Sequence, residues 1–133
     1  MKIAICGSMA SAKEMIRAKQ DMEKRGIIVE IQHDILEYAK GKVRNEDKWK
    51  KINFDPFKNY FNIIKKCDAI LVVNIERKGI KGYVGGNTLI EMAFAHVLDK
   101  KIFLLHEIPE LSYKDEIEAM KPIILNEDFT KMK

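Results

Sequence analysis

Asp68-Ala-Ile-Leu-Val-Val-Asn74 is an unbroken apolar run with a polar residue at each end. A strand with one solvated face alternates apolar and polar residues. A run without alternation predicts a central strand of a parallel sheet, covered on both faces. Reading outward from it, Pro56 opens a helix expected to reach Lys65, with Phe57, Phe61 and Ile64 on one face. On the other side a loop, Ile75–Gly86, carries Gly79, Gly82, Gly85 and Gly86. A helix is expected over Thr88–Asp99, then a strand over Lys101–Leu105, a helix over Ser112–Met120 and a last short strand over Pro122–Leu125. Toward the N-terminus, Lys2–Cys6 reads as a strand ending at Gly7-Ser8. Ser11-Ala-Lys-Glu14 has the form of a capping box, opening a helix with Met15, Ala18 and Met22 on its apolar stripe. Gly26 ends that helix and Ile27–Ile31 forms a second strand. Asp34–Lys40 reads as a helical turn, and the Lys-rich stretch up to Asn53 as a loop or helix.

Strand and helix alternate throughout, so the fold class is α/β: an open parallel sheet of about five strands with helices on both faces. One domain, residues 1–133, accounts for the whole chain of 133 residues. In such sheets ligands bind outside the carboxyl ends of the strands. The segments there are Gly7–Ser11, Asn74–Thr88 and His106–Ser112.

Composition narrows the function. Hydrophobic residues make up 47% and charged residues 33%, the balance of a globular chain, and no apolar stretch approaches the length of a membrane span. The first residues run straight into strand-like sequence without an apolar leader and cleavage site. Cys6 and Cys67, the two cysteines, fall at opposite ends of adjacent strands, too far apart to pair. Together these point to the cytoplasm and away from a membrane. The net charge of +4 is concentrated: nine basic and three acidic residues lie between Ala39 and Lys66. That basic segment, 39–66, is either a solvated lysine-rich surface or an anion-binding one, and nucleic-acid binding through it is the weakest of the functional readings. His33, His96 and His106 lack zinc-site spacing with either cysteine, so no metal is expected. His96 reads as a core histidine, and His106 as a residue at a strand end that could line a pocket. There is no Walker lysine, no dinucleotide fingerprint and no nucleophile elbow. No cofactor is expected.

The richest segment is Gly82-Tyr-Val-Gly-Gly-Asn-Thr-Leu-Ile-Glu91. Gly85-Gly86 lets a backbone approach a ligand, ahead of a helix N-terminus that favours an anion. The following helix is apolar almost all round and is expected to be buried, with Glu91 as its one acid before Asp99. Two readings of Glu91 stand side by side. Thr88-Leu-Ile-Glu91 is itself a capping box, which would turn the carboxylate back onto the backbone. Alternatively, Glu91 is a buried carboxylate in a ligand crevice, where the cost of burying charge points to use. Gly7-Ser8 has the same duality: an ordinary turn, or a backbone N–H and the Ser8 hydroxyl offered to a phosphate.

Cys6-Gly7-Ser8, Asp68–Asn74 and Gly85-Gly86-Asn-Thr-Leu-Ile-Glu91, followed by Ala93, Ala95 and Lys101, resemble the nucleoside 2-deoxyribosyltransferase superfamily, which includes the 2′-deoxynucleoside 5′-phosphate N-hydrolases. The resemblance runs from Lys2 to about Leu125. A looser one exists to the cytokinin-activating phosphoribohydrolases, which share a Gly-Gly…Thr-x-x-Glu loop. It implies a flavodoxin-like or Rossmann-like sheet and cleavage or transfer of the N-glycosidic bond of a (deoxy)nucleoside or its 5′-monophosphate. Glu91 matches the family nucleophile, and Gly7, Ser8, Asn74, Gly85, Gly86 and Asn87 match loops around sugar and phosphate. Tyr60 stands where the family usually has an acid, and Ala4 where it tends to have a tyrosine. A partner subunit often completes the family's site, at the place Glu118 occupies here. The resemblance therefore implies a homodimer or higher homo-oligomer. A catalytically silent nucleotide-binding module on the same fold is the alternative.

Overall fold

The computed structural model describes residues 1–32, 35 and 55–132. Five parallel strands form one sheet: β1 (Lys2–Cys6), β2 (Ile28–Glu30), β3 (Ala69–Val72), β4 (Lys101–Leu104) and β5 (Ile123–Ile124), in the spatial order β2-β1-β3-β4-β5. The helices are α1 (Ala12–Lys24), α2 (Pro56–Lys65), α3 (Gly86–Val97) and α4 (Lys114–Ala119). This is the α/β open sheet that the run 68–74 predicts, with β1 of the expected length and the other four strands slightly shorter than expected.

Alternate strand residues feed two cores. Ile3, Ile5, Leu71 and Phe103 pack with Met15, Ala18 and Met22 of α1. Ala4, Cys6, Ile70, Val72, Ile102 and Leu104 pack on the opposite face with Tyr60 and Ile64 of α2, Met92 and Ala95 of α3, and Ile117 of α4. Every residue of β3 is buried, which is why its sequence shows no period of two.

Chain order reverses between β1 and β3, and the register Cys6↔Val72 brings their carboxyl ends level. Gly7 follows at this switch point. A side chain there would press on Val73 O at 3.1 Å and Met15 Sδ at 3.3 Å, so glycine lets the β1 loop lie flat against β3 and α1. Cys6 and Cys67 are both free and buried, at opposite ends of the β1–β3 pair.

Three local readings are corrected. Ser11 precedes α1 but makes no side-chain cap, and Glu14 Oε2 is buried without a partner. A short 3-10 turn, Met9–Ser11, is inserted ahead of the helix, and Ser8 caps that turn instead by accepting from Ala10 N. The apolar helix α3 is covered on only one side: Ile90 is 41% and Val97 78% exposed. His96 lies on its exposed surface rather than in the core. The turn expected over Asp34–Lys40 and the Lys-rich stretch to Asn53 lie outside the described residues, apart from Ile35, which is helical and buried. Among the described residues no helix is long and apolar enough to cross a membrane.

Candidate functional site

The start of α3 decides how Glu91 is used. The helix begins at Gly86 with Gly85 as its cap residue, and its first backbone bond runs from Leu89 N to Gly85 O at 2.9 Å. Thr88 is thus already inside the helix and buried, and the capping-box reading of Thr88–Glu91 does not hold. Glu91 falls in the second turn, where no unsatisfied backbone N–H is available to it. Its carboxylate turns inward instead and is 5% exposed.

Three elements meet there. The Cys6 thiol, at the end of β1, donates to the Glu91 carboxylate. Gln32, just past β2, directs Nε2 at Glu91 Oε2 from 3.5 Å, across 59 residues of sequence. Tyr60, on α2, is 2% exposed and donates its hydroxyl to Ile5 O. Burial, together with the neighbouring Glu91, pushes the Cys6 thiol well above its ordinary value and holds it protonated. Burial also pushes the Tyr60 phenol well up, with smaller contributions from Cys6 and Glu91. The hydroxyl proton of Tyr60 is committed to backbone, so in this geometry Tyr60 braces β1 beside the carboxylate.

These two groups carry a pH prediction. Ordinary values are 9.0 for Cys and 10.0 for Tyr. Above those values the unfolded chain releases protons that the folded chain retains, so folding stability is present below about pH 9 and lost as pH rises further. Melting temperatures measured from pH 8 to 11 are expected to fall, and to fall less steeply for Cys6→Ala. Parallel profiles for the two proteins would contradict the placement of Cys6.

The remaining residues singled out in the sequence divide into groups. Ser8 is joined to Arg77, whose Nη1 donates to Ser8 Oγ at 2.6 Å. Gly85 and Gly86 lie at the mouth of α3, and a side chain at Gly86 would meet nothing within 4 Å. Asn87 is half-buried in the first turn. Asn74 works on the protein itself: Nδ2 lies 3.1 Å from both His106 O and Glu107 O and 3.3 Å from Gly82 O, and Oδ1 accepts from His106 N at 2.9 Å. It ties the loop after β3 to the loop after β4. Tyr113 donates to Val84 O, which anchors the glycine loop from the side of α4. Glu118 is exposed on α4, 3.8 Å from Lys114 Nζ, and is not brought to Glu91 within one chain. His106 lines a cleft of about 690 Å³ with Glu76, Lys81, Glu107 and Glu110. Of the basic segment, residues 39–54 lie outside the described residues. Among the described residues no group of three or more His, Cys, Asp or Glu could hold a metal.

Gln32 and Arg77 are the additions that sequence reasoning missed. Gln32 stands at the carboxyl end of β2, and an open sheet makes that end a ligand position as much as those of β1, β3 and β4. No family model, curated protein or solved structure matches the chain.

Proposed function

We propose that the protein cleaves or transfers the N-glycosidic bond of a (deoxy)nucleoside or nucleoside 5′-monophosphate, with Glu91 as nucleophile. The observation that carries this reading is a carboxylate turned away from its own helix end. It is buried at the carboxyl side of the switch point and oriented by Cys6 and Gln32. In the first step a Glu91 oxygen attacks C1′, the C1′–N bond breaks, and the base leaves with the bonding pair and takes up a proton. In the second, water attacks C1′, the glycosyl ester breaks, Glu91 is restored and a proton is released; a second base in place of water gives transfer. The thiol and the Gln32 amide hold the carboxylate for in-line attack, and the glycine loop leaves room for the sugar. Chromatography of nucleosides and their 5′-monophosphates, with and without acceptor bases, tests the activity. Base release or exchange that depends on Glu91 is the expected result.

The position of Tyr60 favours a second reading. Its proton is held by Ile5 O, so Tyr60 does not offer an acid to the leaving base. A silent nucleotide-binding module would show tight binding by calorimetry and no turnover across the same panel.

A homodimer fits the exposed face of α3, where Ile90, Ala93 and Val97 form an uncharged stripe at helical spacing. Light scattering is expected to give twice the chain mass, and Val97→Glu to return the monomer. A monomeric wild type would remove this element of the proposal.

A further inference from the structure

Glu91 and the glycine loop belong to the carboxyl end of the sheet. The amino end is built from the start of β1 and the four described turns that lead from helices into strands. Lys24 and Arg25 lie where α1 gives way to β2, and Lys65 and Lys66 where α2 gives way to β3. Lys100 and Lys101 follow α3, Lys121 follows α4, and Lys2 opens β1. The acids in these turns are Asp68 and Asp99, and Asp128 lies within electrostatic reach of Arg25. One cation at each helix end is accounted for by the carbonyls and the dipole there. Three of the four junctions carry two. Among the described residues Lys24, Lys65, Lys66 and Lys121 are exposed and form no ion pair.

The registers Lys2↔Ile28, Ile3↔Ala69 and Ala69↔Lys101 set the starts of β2, β1, β3 and β4 at one level. β5 starts two residues farther in, with Ile123 opposite Phe103, so Lys121 falls near the level of Lys101. Adjacent strands lie about 4.8 Å apart, which spreads the cations in a row roughly 20 Å long across the end of the sheet. Apolar residues are set among them. Outside the face of α3, the large exposed apolar residues among those described are Met1, Ile28 and Ile123, and each stands at the start of a strand. Ile28 is 62% and Met1 45% exposed, and Ile28 N donates to Met1 O at 3.1 Å, so the two adjoin beside Lys2.

We infer that the amino end of the sheet docks on the surface of an anionic lipid bilayer. The row of cations matches the headgroup phosphates, and Ile28 and Met1 enter the boundary between headgroups and acyl chains. A nucleic-acid duplex would satisfy the same cations and leave the apolar residues uncovered, so the mixture of charge and exposed apolar surface favours lipid. Attachment of this kind lies on the membrane and needs no spanning helix. It turns the carboxyl ends of the strands, with Glu91, away from the bilayer, and it stands whether or not Glu91 is a nucleophile.

Co-sedimentation with vesicles tests the face, using phosphatidylcholine alone and phosphatidylcholine with roughly one-third phosphatidylglycerol. Wild type is expected to pellet with the anionic vesicles and to stay in solution with the neutral ones. Lys65→Ala/Lys66→Ala should weaken partitioning roughly twentyfold, about fivefold for each charge. Ile28→Ser keeps the charge and should still weaken it several-fold. Lys13→Ala/Lys81→Ala removes two exposed charges from the carboxyl end and should leave it unchanged. All these side chains are exposed, so melting temperatures should match wild type. No binding to anionic vesicles, equal binding to both kinds, or equal losses from the two lysine pairs would overturn the docking face. Unchanged partitioning of Ile28→Ser would overturn the lipid assignment, and tight binding of a DNA duplex insensitive to that substitution would give the face to nucleic acid instead.

Discussion

Glu91→Gln is expected to abolish base release, by roughly a thousandfold or more, while leaving the fold intact or more stable. The two halves of that expectation have one physical origin. A carboxylate that is 5% exposed has given up most of its hydration, and burying its charge is costly. A helix in need of a structural residue at this position would be better served by an uncharged one. Glutamine keeps the shape and the hydrogen-bonding reach and removes the charge, so its melting temperature should match or exceed that of wild type. The carboxylate oxygen that bonds C1′ is lost. Glu91→Asp retains the charge but withdraws it by one methylene, and should keep a small residual rate. A Glu91→Gln protein that melts well below wild type and still releases base would assign the residue a structural role.

The second large effect is on stability. Gly82→Ala is expected to lower the melting temperature by roughly 10 °C, about 3–4 kcal/mol. Gly82 has φ of 68°, a region that costs a side-chain-bearing residue about 1–2 kcal/mol. In addition, its Cβ would collide with Glu107 O, a backbone atom that cannot swing aside. Glu107 O and Gly82 O are both held by the Asn74 amide, so moving either strand of this contact breaks the clamp joining the loops after β3 and β4. Buried amides and carbonyls left without partners add to the cost. Gly79→Ala separates the two contributions. That glycine has φ of 75° but open space around it, and should lose only the conformational part, about 1–2 kcal/mol. Differential scanning calorimetry of the two variants reads the difference directly, and equal losses would contradict the steric account.

How far the molecule could be read from its sequence follows from the range of the interactions involved. The sheet was legible because burial on both faces leaves unbroken apolar runs, and because Pro56 and Gly26 mark helix ends through purely local conformational limits. Helix α3 was legible as a helix and misread at its start. Thr88-x-x-Glu91 matches a capping box in spacing, yet Gly85-Gly86 can enter the helix earlier and displaces Thr88 inward. Its exposed apolar face is a matter of which neighbours happen to cover it, and periodicity carries no record of that. Glu91 could be singled out as a lone acid on an apolar helix. Its contact with Gln32 and the contact of Ser8 with Arg77 join residues 59 and 69 positions apart. Such pairs exist only once β2, β1 and β3 lie side by side. The Asn74 clamp is of the same kind: Asn74 ends the apolar run, but its three partner residues lie farther along its own loop and in the loop after β4.

The most direct test of the central claim is to trap the glycosyl-enzyme. Incubation with a 2′-fluoro-arabinosyl nucleoside 5′-monophosphate, followed by proteolysis and mass spectrometry, should find the fluorinated sugar phosphate esterified to Glu91. Fluorine at C2′ disfavours the positive charge that develops at C1′, which slows hydrolysis of the ester enough for it to accumulate. The adduct should be absent from Glu91→Gln. Turnover of the natural nucleotide with no adduct at Glu91, or an adduct on another residue, would contradict the assignment of the nucleophile.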